Sequence, residues 1–140
     1  MDDRMAPPSL PADNVRGPNC GVTCVAIAAG VSFKEAWATL RPLRRRGRGR
    51  WNGATSHYER KAALDNLGVK YKQLRDTDTY HCTLRNLCDK YLRTGKLYMV
   101  RTTGHVQMVK NGLVIDQNGL HNMEGWRARK RVRDVLIIGE

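Results

Sequence analysis

The 140-residue chain has no apolar run approaching the roughly 18 residues that a membrane-crossing helix needs. Its start, Met1-Asp2-Asp3-Arg4-Met5-Ala6-Pro7-Pro8, is acidic and proline-rich and holds no apolar stretch, which argues against a secretory signal. The expected compartment is therefore a reducing cytoplasm, and Cys20, Cys24, Cys82 and Cys88 are expected as thiols. The Cys-x-x-Cys knuckles of structural zinc are missing, so a metal site from Cys20, Cys24, His81 and Cys82 is not expected. No cofactor is implied. No internal repeat is visible, and the length suits one compact domain. Acidic residues are scarce: 13 Asp plus Glu stand against 25 Lys plus Arg, a net charge of +12.

Much of that excess sits in two patches. Arg41, Arg44, Arg45, Arg46, Arg48 and Arg50 form the first; Arg127, Arg129, Lys130, Arg131 and Arg133 form the second. Such patches attract nucleic acid, anionic headgroups or acidic proteins, and a solvated basic surface would give the same pattern. Net charge speaks to association rather than to chemistry.

Local signals outline the elements. Pro7, Pro8 and Pro11 make residues 1–13 a flexible arm, leaving 14–140 as the domain. The segment from Cys20 to Gly30 is rich in small apolar residues on all sides, as a central buried helix would be, with Asn19 placed to cap it. Ser32 and Glu35 form a capping-box pattern for a second helix, and Ser56 and Glu59 form one for a third that Gly68 ends. Leu84, Leu87, Cys88, Tyr91 and Leu92 make a core-facing helical stripe. Strands are predicted over 69–74, 97–103, 106–109, 113–116 and 135–138, with Asn111-Gly112 as a tight hairpin turn. Helices first and a mostly antiparallel sheet after is an α+β order.

The hairpin register singles out a pair. With a two-residue Asn111-Gly112 loop, Val109 faces Val114, Gln107 faces Asp116 and His105 faces Asn118. His105 and Asp116 then become diagonal neighbours on one face. A carboxylate beside a histidine sets its tautomer and stabilises the imidazolium. Cys20, at a helix N-terminus, sits at the positive end of the helix dipole, which favours the thiolate. A thiolate, an imidazole and a carboxylate are the parts of a nucleophilic hydrolase, with the Cys20 N–H as an oxyanion donor.

At Asn19-Cys20-Gly21-Val22-Thr23-Cys24, Gly104-His105-Val106 and Val114-Ile115-Asp116 the chain resembles papain-like cysteine peptidases. It is most similar to the branch that removes double-glycine leader peptides from bacteriocins. It also looks like compact open reading frames carried by bacteriophages. The resemblance implies a papain-like α+β fold, with the nucleophile helix packed on the sheet, and a Cys20–His105–Asp116 triad. It implies a protein or peptide substrate for a monomeric enzyme of the bacterial host cytosol or the virion. The family's second oxyanion donor, a glutamine, falls at Asn14 here, one methylene shorter, and Gln107 is the alternative. The rival expectation is an inactive scaffold that grips nucleic acid or an acidic host protein through Arg44, Arg45, Arg46, Arg48, Arg50, Arg129, Lys130 and Arg131.

Overall fold

The computed structural model describes residues 3–44, 50–74 and 81–140. Five α-helices are assigned: α1 Cys20–Ala29, α2 Phe33–Leu40, α3 His57–Asn66, α4 Leu84–Lys90 and α5 Gly125–Ala128. Six strands, β1 Tyr71–Gln73, β2 Leu97–Thr102, β3 His105–Lys110, β4 Leu113–Asp116, β5 Gly119–Asn122 and β6 Val132–Ile138, form one antiparallel sheet in the order β1-β6-β2-β3-β4-β5. The fold is α+β. No helix among the described residues is long and apolar enough to cross a membrane.

Alternation along the strands sorts side chains into two cores. Met99, Val106, Met108, Ile115 and Leu136 join α1, α2 and α3 in one. Tyr98, Val100, Val109, Val114, Val135 and Ile137 join Leu84 and Leu87 of α4 in the other. Because both faces are covered, β2 and β6 are apolar nearly throughout rather than alternating. The layer of α1 to α3 positions the site. Val22, Cys24 and Val25 are completely buried, and Gly30 ends α1 in the left-handed conformation at φ 67°.

The predicted caps are present with one exception. Ser32 accepts from the Glu35 N–H, and Ser56 with Glu59 forms a complete capping box. Asn19 precedes α1 but gives it no side-chain cap; its Nδ2 donates to the Val15 carbonyl at 2.9 Å. Residues 3–13, expected as a flexible arm, lie against the body. They carry a 3-10 turn over Asp3–Met5, and Asn111 Nδ2 donates to the Arg4 carbonyl at 2.7 Å. Leu10 packs on the α1–α3 core. Asp13 accepts from the Phe33 and Lys34 N–H groups at 2.7 and 3.0 Å, and these bonds hold its carboxyl below the usual carboxylate range.

Two elements had no sequence forecast. α5 spans a single turn, and β5 reads Gly-Leu-His-Asn, without the β-branched residues that mark strands. β6 also starts earlier than expected, at Val132, where Arg131 and Arg133 obscure the apolar pattern. A register shift at Arg101/Thr102 lets β2 keep pairing with that extension.

Candidate active site

Cys20 is the first residue of α1, His105 the first of β3 and Asp116 the last of β4. Antiparallel pairing brings the start of β3 and the end of β4 to the same end of the sheet, and the head of α1 meets them there. His105 Nε2 lies 3.1 Å from Asp116 Oδ2. The Cys20 thiol and the His105 ring line the same cleft and interact there. Asp116 Oδ2 is thus the oxygen turned to the histidine. The other carboxylate oxygen accepts from the Asn118 N–H at 2.9 Å and lies 3.2 Å from His121 Nε2.

The electrostatics follow from these contacts. Burial alone would raise the Cys20 thiol; the His105 and Val106 hydrogen bonds and the charges of His105 and Arg60 outweigh it, and the thiol titrates below its ordinary value. The Asp116 and Cys20 hydrogen bonds push His105 up to about 9 against the opposing effect of burial. Burial works against an ionised Asp116, but its hydrogen bonds to His105, Asn118 and His121 hold it down to about 2. Both shifts favour the charged forms, a thiolate beside an imidazolium. Cys24, one turn along α1, is fully buried, and desolvation pushes its thiol well up. All four cysteines are thiols, with no disulfide between them.

The hairpin register agrees with the sequence reading where the ladder runs: Lys110 pairs with Leu113, Val109 with Val114 and Met108 with Ile115. Beyond it the pattern changes. Asp116 pairs with Gly119 of β5, and Asn118 lies in the β4–β5 turn instead of opposite His105. Val109 and Val114 belong to the α4 core, whereas Cys20 is on the α1 side, so strict alternation would have separated His105 from Cys20. Position at the sheet end resolves this. His105 follows the Thr103-Gly104 turn, with Gly104 at φ 74°, and a side chain at a strand terminus reaches around the end of the sheet.

The amide expected to complete an oxyanion hole is placed elsewhere. Asn14 Nδ2 donates to the Gln117 carbonyl at 2.9 Å, and Asn14 Oδ1 accepts from Thr23 Oγ1 at 2.7 Å. Asn14 thus ties the chain before α1 to the turn after β4, and it does not line the cleft at Cys20. Its shorter side chain is satisfied locally. Gln107, the alternative, is buried and bonds the Val100 carbonyl on the neighbouring strand. The donors left at Cys20 are its own N–H and that of Gly21, because the Val22 and Thr23 N–H groups donate to the Asn19 carbonyl at 3.1 and 3.2 Å.

A cleft of about 380 Å³ opens at Cys20 and His105. Its wall includes Thr55, His57, Arg60 and Arg101, none of which was singled out from sequence as a site residue. His57 lies beside the cleft and His121 against Asp116. One signal for Arg60 was available. It shares the inward stripe of α3 with Ala63 and Leu64, where a cation has no ordinary reason to be, and it is only 5% exposed. Gly21 allows Thr55 to approach: a Cβ at Gly21 would sit 1.9 Å from Thr55 Oγ1. Thr55 in turn accepts from Arg60 through Oγ1 at 2.9 Å and through its carbonyl at 3.2 Å.

Of the residues expected to bind polyanions, Arg45, Arg46 and Arg48 lie outside the described residues. Arg50, Arg129 and Arg131 are exposed, while Arg44 and Lys130 are half-buried. Arg131 donates to the His81 carbonyl at 3.0 Å. Arg127 and Lys130 flank the ring of Trp126, which is 54% exposed, at 4.3 and 5.6 Å from its centroid. Among the described residues no group of three or more His, Cys, Asp or Glu side chains is disposed to hold a metal ion. The chain matches no protein-family model, no curated protein and no solved structure.

Proposed function

We propose that the protein is a thiol hydrolase with a papain-like arrangement, acting on an amide or ester bond of a protein or peptide. The observation that carries this reading is the chain of contacts Cys20–His105–Asp116 at the head of α1, beside an open cleft. Cys20 Sγ attacks the acyl carbon as thiolate. His105, already protonated, gives its proton to the leaving group, and the acyl–Cys20 thioester forms. His105 then takes a proton from water as the water attacks the thioester, releasing the acid and restoring the pair. Asp116 keeps the imidazole oriented and charged. The N–H groups of Cys20 and Gly21, which have no backbone acceptor, are the oxyanion donors on this reading. Peptidase, deamidase and transglutaminase chemistry use the same parts. Iodoacetamide near pH 6 tests the proposal: rapid labelling at Cys20 that is lost in His105→Ala is expected. An unreactive Cys20, or hydrolysis surviving Cys20→Ala, would sink it.

A second reading, polyanion binding, is favoured by Trp126 with its two flanking cations. An exposed ring beside Arg and Lys suits stacking on a base with phosphate contacts nearby. A salt series with single-stranded nucleic acid tests it. Affinity that falls steeply with salt and drops in Trp126→Ala supports this reading, and affinity unchanged by Trp126→Ala overturns it.

A further inference from the structure

The wall of the Cys20 cleft carries more positive charge than the triad needs. Arg60 is 5% exposed, and among the described residues its guanidinium bonds to Thr55 alone, through the carbonyl and the hydroxyl. Arg101 has no hydrogen-bond or ion-pair partner among the described residues, and its Nε is buried. The nearest compensating carboxylate is Asp134, which lies opposite Arg101 across the β2–β6 ladder. Asp134 accepts from Gln73 Nε2 at 2.7 Å and forms no ion pair within 4.0 Å with either arginine among the described residues. Two guanidiniums of the cleft wall therefore share one carboxylate, which lines a small void with both of them beside the cleft. Thr102, 1% exposed, also lines the cleft with an unpartnered hydroxyl.

The Cys20 thiolate offsets part of the Arg60 charge, but a buried guanidinium with no carboxylate paired to it is costly to keep. Folds rarely keep one unless a ligand completes it. Guanidinium groups present planar forks that match carboxylate oxygens. We infer that Arg60 and Arg101 form a subsite for a carboxylate of the substrate, next to the bond that Cys20 attacks. The carboxylate is that of an acidic side chain or of a chain terminus. This rests on the reading of Cys20 as the nucleophile and adds what that reading leaves open, the class of substrate. Asp134 limits the subsite to one negative charge, and His57, whose imidazolium is disfavoured by burial and by Arg101, adds a neutral donor.

The test uses equilibrium binding to the full chain carrying Cys20→Ala, so that it does not depend on turnover. Three acetylated hexapeptides serve as probes: one with a central Glu and an amidated end, its Gln isostere, and that Gln peptide with a free C-terminal carboxylate. At least one acidic peptide is expected to bind about 10- to 100-fold more tightly than the Gln amide. Whichever acid is preferred identifies the source of the carboxylate. Adding Arg101→Gln should abolish the preference, and Arg101→Lys should restore part of it. Arg101 is used because Arg60 is buried and its replacement threatens folding. Equal affinities for all three peptides, or a preference unchanged in Arg101→Gln, would overturn the subsite. If wild-type protein hydrolyses nothing while the acid preference persists, the hydrolase reading fails and the anion site stands.

Discussion

His105 Nε2 sits 3.1 Å from one oxygen of Asp116, and His121 Nε2 sits 3.2 Å from the other, so one buried carboxylate is shared by two imidazoles. Only His105 continues to the thiol. Replacing Asp116 with Asn keeps the shape and removes the charge. Activity should fall by about 10² to 10⁴, and the His105 titration, followed by ring-proton NMR, should move down from about 9. His121→Phe should leave most activity in place, because it removes a neighbour of the carboxylate and no member of the chain.

The pH dependence of hydrolysis should be bell-shaped. The acid limb reports formation of the Cys20 thiolate, which lies below the ordinary thiol value, and the alkaline limb reports loss of the His105 proton near 9. Steady-state rates between pH 4 and 10 check both limbs.

Stability should respond to the same groups in opposite senses. The folded state raises His105, so its contribution is complete below the free imidazole value of about 6.5 and is lost as pH rises through about 9. The folded state depresses Asp116, so its contribution is present above the free value of about 3.9 and is lost as pH falls toward about 2. Urea midpoints of wild type and His105→Ala should converge above pH 9 and separate at pH 6.

Gly21→Ala should destabilise the fold by about 1–3 kcal/mol, since its Cβ would overlap Thr55 Oγ1 at 1.9 Å. Thr55→Ala in the same chain should recover part of the loss, because the hydroxyl is the atom in the way. Thermal melts of the two variants and the double variant measure the coupling.

Removing residues 1–13 should lower the melting temperature, although an unstructured arm would leave it unchanged. The truncated chain lacks the Asp13 carboxylate at the head of α2 and the Leu10 contact with the core. Asp13→Asn in the full chain separates the cap from the packing contribution. Ser56→Ala should cost about 0.5–2 kcal/mol through loss of the α3 capping box.

Much of this architecture was legible locally. Capping pairs at Ser32/Glu35 and Ser56/Glu59, Gly30 and Gly68 as stops, and Asn111-Gly112 as a hairpin turn are short-range signals, and each marks a real boundary. Where local preference is weak, reading failed: β5 has no β-branched residue, and the start of β6 hides among arginines. The place of Cys20 at a helix start and the nearness of His105 to Asp116 were legible because helix starts and hairpins constrain their own neighbours. His105 and Asp116 do meet, although the β3–β4 ladder ends before it reaches them.

By itself the sequence determined the helix boundaries, the central hairpin, the basic charge and the three residues of the candidate triad, all of which depend on spacings of a few residues. Only the tertiary structure decided how the site is lined. Asn14 left the site because Thr23 and the Gln117 carbonyl, far apart in the chain, meet its amide first. Arg60 and Arg101 entered it because α3 and β2 pack against the same end of α1. The Asn14–Gln117 contact and the approach of α3 and β2 to α1 join segments tens of residues apart, and no local periodicity encodes them.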